Sequence, residues 1–224
     1  MKLAGILLMI LGSAIALIGF FNSKETILNV GVCGTFIGAV LFSFSQQKNS
    51  KFIESYHENL RNLSKFLELK KSIYIPRNKH LPDGAVFLAL MEDFEIDLAK
   101  MDYERIVISG REREAGMLLK VPGSEILREV EEISFESVAS ALRYMGLIRS
   151  SKIVSSGEDV RILVEGVAVD FCEEYCKVLA CPICSNLIFS FANESNELIE
   201  VEKFEVGEKI EIHARKIGGV ERWV

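Results

Sequence analysis

Four of the five cysteines fall within thirteen residues, as Cys172, Cys176, Cys181 and Cys184. Cys172 and Cys176 are spaced i, i+4, which places both on one face of a helix, and Cys181-Pro182-Ile183-Cys184 is a C-P-x-C knuckle. Knuckles of this kind present two thiolates to a metal. The donor set suits a soft tetrahedral site, either zinc or an iron–sulfur cluster. Against that, no Gly follows the knuckle, and Val178, Leu179, Ile183, Leu187, Ile188, Phe189 and Phe191 around it read as a buried helix. Three other readings stay open. Cysteine is often simply a small buried hydrophobe. A structural disulfide of the hyperthermophile type is a second. Thiol exchange through Cys181 and Cys184 is a third, although the βαβ setting of thioredoxin-like motifs is missing. Cys33 lies in an apolar run and reads as packing.

No other cluster is as dense. His57, His80 and His213 fall on an amphipathic stretch, in a Pro-rich loop and in a late strand, and none is paired with a nucleophile. The chain lacks G-x-G-x-x-G, a Walker loop, G-x-S-x-G and H-E-x-x-H. Glu92, Asp93, Glu95 and Asp97 form one acidic loop, whose default reading is a solvated face, with an oxygen-ligated cation as the alternative. The sequence therefore names no catalytic residue, and a binding or scaffold module is expected ahead of an enzyme.

The elements that must position these residues begin with two apolar runs. From Leu3 to Phe21, and again from Ile27 to Ser45, there are 19 residues without a charge. A helix of that length measures about 28 Å, close to a bilayer's hydrocarbon core. The expectation is an N-terminal transmembrane helical hairpin with spans at about 3–21 and 27–45. Two alternatives are a pair of buried core helices and a cleaved signal peptide, but the first run exceeds a usual h-region and Gly19-Phe20-Phe21-Asn22-Ser23 offers no small-x-small site. Gly34 and Gly38 form a G-x-x-x-G step in the second run, and Gly12 and Ala16 recur in the first, so small residues are expected where the helices pack. Dimerisation through Gly34 and Gly38 is the sharper alternative.

Between Lys48 and Lys71 there are six basic and three acidic residues. Basic flanks stay in the cytoplasm, so the expected arrangement is a multi-pass chain in the cell membrane with both termini and the soluble domain cytoplasmic. The expected partners are the lipid bilayer, anionic lipid heads at this basic collar, and a protein partner or second copy in a homodimer. From Ser72 onward, 18 basic residues face 28 acidic ones. Such a body is a poor partner for nucleic acid. The scarcity of Gln beside abundant Glu and Lys is a thermophile-like bias.

Residues 48–72 read as a juxtamembrane amphipathic helix, and 73–224 as a cytoplasmic α+β domain. In that domain strands at 73–75, 85–90, 105–109 and 117–121 precede helices after Gly123 and over 135–148. A hairpin across Ser156-Gly157-Glu158, a long helix over 169–192 and a last hairpin across Gly207-Glu208 complete the expectation.

Ile126 to Ile148, with its A-L-R-x-x-G-L-I run before a hairpin ending Val160-Arg161-Ile162-Leu163-Val164, resembles the core of a winged-helix module. That resemblance implies Ser137, Ser140 and Arg143 facing a major groove, in a membrane-tethered transcription regulator. Phe171 to Ile217 resembles the 4-vinyl reductase type of small-ligand domain, although the cysteines are spaced differently, and that implies a small-molecule or metal sensor. The whole plan, with V-P-G-S after a strand and A-C-P-I-C-S before the last hairpin, looks like archaeal two-span membrane proteins, which implies no activity.

Overall fold

A computed structural model of the 224-residue chain describes residues 2–22, 24–46, 62, 66–103, 107–108, 114–167, 176 and 178–223. Two compact units make up the chain, Met1–Asn59 and Leu60–Val224.

The first unit is an antiparallel pair of helices, α1 (Lys2–Phe21) and α2 (Glu25–Gln46). Glycines let the two backbones touch. A Cβ on Gly31 would collide with the backbone of Ala16, one on Gly12 with that of Thr35, and one on Gly19 with that of Leu28. Gly34 lies against Gly12, where a Cβ would meet Gly12 Cα at 3.4 Å, and Gly38 is buried. These small residues are thus used within the chain, trading side chains for close dispersion contact. The outer surface is apolar all round: Leu11 is 58% exposed, Phe21 79% and Phe36 70%.

The expectation of a transmembrane hairpin is corrected here. Among the described residues no helix is long and apolar enough to cross a membrane. The spans at 3–21 and 27–45, the multi-pass membrane assignment, and the placement in the cell membrane with cytoplasmic termini and domain all rested on crossing helices, and are withdrawn with them.

The second unit is built on an antiparallel sheet of eight strands. They are β1 (Lys71–Ile75), β2 (Ala85–Ala89), β3 (Val107–Ile108), β4 (Gly116–Leu119), β5 (Ser150–Ser156), β6 (Asp159–Glu165), β7 (Glu197–Val206) and β8 (Lys209–Gly219). Their order is β3-β4-β2-β1-β7-β8-β6-β5. The central strands β1 and β2 are buried on both faces. Alternation then divides the core: Tyr74, Val86 and Leu88 face helices α3 (Phe135–Tyr144) and α4 (Pro182–Ser195), whereas Ile73, Ile75 and Phe87 face a layer of Leu81, Leu98, Met101 and Leu198.

Much of the expected juxtamembrane helix at 48–72 lies outside the described residues, and its end belongs to the body, where Leu69 is buried and Lys71 opens β1. Of the expected long helix over 169–192, residues 168–175 and 177 lie outside the described residues, and the helix described there starts at Pro182. Proline pushes the residue before it out of helical geometry, and Cys181 accordingly holds an extended ψ of 159°. α4 ends at Asn196, which takes the left-handed conformation at φ 54°. Glu194 of α4 accepts the Phe135 N–H at 2.8 Å, and so caps α3 together with Ser134.

Candidate functional site

α4 is buried nearly all round, and its first turns carry the buried polar residues Ser185 and Asn186. Cys181 is the N-cap, its sulfur accepting the Cys184 N–H at 3.5 Å. Ser185 Oγ donates to Ala180 O at 2.8 Å and lies 2.9 Å from Tyr74 Oη. With the serine proton committed to Ala180, the phenol donates to the serine. Asn186 Nδ2 reaches Pro122 O and Gly123 O, each at 3.0 Å, and Pro182 O at 2.6 Å. Gly123 is left-handed at φ 73°, and a Cβ there would press on Pro182 Cβ at 2.8 Å and Asn186 Nδ2 at 2.9 Å. The V-P-G-S and A-C-P-I-C-S segments, about 60 residues apart in sequence, are therefore one packed unit.

Cys176, Cys181 and Cys184 are all buried, and Cys172 lies outside the described residues. The three thiols are close enough to Tyr74 to act on its phenol electrostatically, in the same direction as burial. Burial is the larger cause, and it pushes that phenol well above the usual tyrosine range. All three cysteines are soft donors beside a neutral phenol, but among the described residues their sulfurs do not gather within the 4.8 Å of one another that a shared ion needs.

The other singled-out residues are dispersed. His57 lies outside the described residues, and His80 Nε2 is buried in its loop without a hydrogen bond among them. In the acidic loop Asp97 accepts Lys100 at 2.9 Å, and Glu92 lies 3.9 Å from Lys71. On the winged-helix-like stretch Ser137 serves the α3 cap, while Arg143 is held by Glu136 and by Ser140, the latter at 2.9 Å. The wing-like hairpin β5–β6 is an integral end of the large sheet.

Sequence reading missed two groups. Glu200, 3% exposed, is bound by Lys71 at 2.6 Å and Arg215 at 3.2 Å. Only strand register could have revealed it, since Arg215 stands directly opposite Glu200 on β8. Glu205, Glu211 and His213 offer ligand atoms within 4.8 Å of one another. Their carboxylates are already matched: Lys203 pairs with Glu205, and Arg161 and His213 approach Glu211 at 3.0 and 3.1 Å.

No family model matches the chain, and neither a curated protein nor a solved structure matches it.

Proposed function

We propose that this chain is a binding or scaffold module, an α+β body carried by an apolar helical hairpin that is covered by lipid. The observation that carries the reading is the exposure of large apolar side chains on both helices: Leu7, Ile10, Leu17 and Phe20 on α1, and Val30, Val32, Phe36 and Ile37 on α2, are each more than half exposed. A helix apolar all round needs an apolar surround on every side. Monomers rarely leave so much contiguous apolar surface in water. The contact proposed is with lipid, without a helix that crosses the bilayer. The basic collar contributes less than its composition implies, because Lys71 is committed to Glu200.

The test is flotation of the full chain with phosphatidylcholine vesicles. Chain rising with the vesicles, and losing that property when Phe20, Phe36 and Ile37 become Glu, is the expected result. A wild-type chain that stays at the bottom as a folded species in detergent-free buffer overturns it.

A second reading, a metal or redox sensor, rests on the buried cysteines Cys176, Cys181 and Cys184, each near Tyr74. Its test is elemental analysis of chain purified anaerobically. Stoichiometric zinc or iron, lost in the Cys181→Ser, Cys184→Ser variant, supports it; metal-free folded protein overturns it.

A further inference from the structure

Among the described residues β5 is the last strand of the sheet, paired with β6 on one side only. Ser156 and Asp159 close a two-residue turn whose first central residue, Gly157, sits at φ 62°. The closing pair of such a turn exchanges both of its backbone hydrogen bonds. Counting back by twos, Val154 and Lys152 also spend their backbone groups on β6. Ser151, Ile153 and Ser155 direct theirs outward, to the open edge. Natural sheets commonly protect such an edge with charges, proline or a bulge. Here the strand reads Ser-Ser-Lys-Ile-Val-Ser-Ser, with one charge and neither proline nor register shift.

We infer that this edge is the contact through which two copies of the chain pair, antiparallel and centred on Ile153. The strand is self-complementary about that residue. Ile153 meets Ile153 of the second copy, Ser151 meets Ser155, and Lys152 meets Val154. The residues with outward backbone groups fall opposite one another, so a continuous ladder forms. No like charges are opposed. A separate observation points the same way: Ser151 Oγ is buried and lacks a hydrogen bond among the described residues. Pairing in this register sets Ser155 of the second copy beside it on the same face. A two-fold axis through one pair makes the contact isologous and closed. This contact is independent of what covers the helical hairpin.

Val154 is 57% exposed, so it accepts a charge without unfolding the strand. In the paired form a residue at 154 sits across from Lys152 of the other copy, twice. V154E therefore creates two attractive pairs and V154K two repulsive ones. Arg161, opposite Val154 within the chain, meets the new charge in the single and paired forms alike, so its effect cancels. The experiment is sedimentation velocity of the full chain in mild detergent over a concentration series, with circular dichroism to confirm folding. The dissociation constant is expected to fall about fivefold in V154E and to rise about fivefold in V154K. K152E/V154K is expected to restore pairing. A wild-type chain that stays single throughout, or variants that shift together or not at all, overturns the inference.

Discussion

The carboxylate of Glu200 lies 2.6 Å from the Lys71 ammonium, with only 4% of the Glu200 side chain exposed. Lys71 opens β1 and Glu200 belongs to its neighbour β7, while Arg215 on β8 approaches the same carboxylate at 3.2 Å. One buried charge thus ties three adjacent strands at the middle of the sheet. Removing the anion leaves Lys71, 22% exposed, near Glu92 and Arg215, 42% exposed, near Glu202, so the cost is about 1–3 kcal/mol rather than that of a fully buried pair. Glu200→Ala is expected to lose stability on that scale in urea unfolding, whereas Glu205→Ala, on the exposed end of the same strand, is expected to leave the midpoint nearly unchanged.

Tyr74 and Ser185 carry a prediction that depends on the direction of a proton. Because the phenol donates and the serine is already satisfied by Ala180, Tyr74→Phe removes one hydrogen bond, costing about 1 kcal/mol. Ser185→Ala instead strands a buried phenol donor and leaves Ala180 O without its partner, costing about 2–3 kcal/mol. The order of the two denaturant midpoints checks this. A larger loss in Tyr74→Phe would mean that the serine is the donor.

Gly123 and Gly157 both hold left-handed backbone, at φ 73° and 62°, but only Gly123 is crowded. Gly157→Ala is expected to cost about 1 kcal/mol from conformation alone. Gly123→Ala adds a collision with Pro182 and Asn186 and is expected to cost at least twice that. Thermal melts of the two variants measure the difference.

The pH dependence has opposite signs at the two ends. Hydrogen bonds from Lys100 to Asp97, from Lys209 to Glu165 and from Lys203 to Glu205 hold these carboxyls below their ordinary range. Their contribution is complete above the ordinary carboxyl range and is lost as pH falls through the lowered values. Burial, reinforced by the Asp83 charge, pushes the Tyr103 phenol up to about 12. The folded chain then holds that proton more tightly than the unfolded one, so stability is intact below about pH 10 and falls as pH rises toward 12. Melting temperature across pH should decline at both extremes. Tyr103→Phe should flatten the alkaline limb, and Asp97→Asn the acid one.

In the hairpin, Gly31 and Gly34 differ in how closely α1 approaches. Gly34→Ala meets Gly12 Cα at ordinary contact distance, whereas a side chain on Gly31 would strike the Ala16 backbone. With cysteines placed at 13 and 35, whose hydroxyls lie 3.4 Å apart, a disulfide is expected to form readily in Gly34→Ala and slowly in Gly31→Ile. Equal rates in the two would contradict the packing.

Local pattern carried much of this molecule. Gly157 between two β-branched runs marks the β5–β6 turn, because a two-residue hairpin needs a residue that tolerates positive φ. Ser134 three residues before Ser137 marks the start of α3, because an N-cap must accept an orphan amide. Gly12, Ala16 and Gly34 lie where the helices touch, because a residue without a bulky side chain lets the backbones approach. Other features follow from contacts between residues distant in sequence. Cys181 was legible as part of a metal knuckle or of a long helix, and its position as the cap of α4 followed from Pro182 together with packing against Gly123. Glu200 sits in an alternating run that a period-of-two reading sends to solvent, and it is buried because the sheet order sets Lys71 and Arg215 beside it. Sequence determines what one residue does to its own backbone; the partners that make a buried charge, phenol or thiol tolerable are chosen only when the strands take their order.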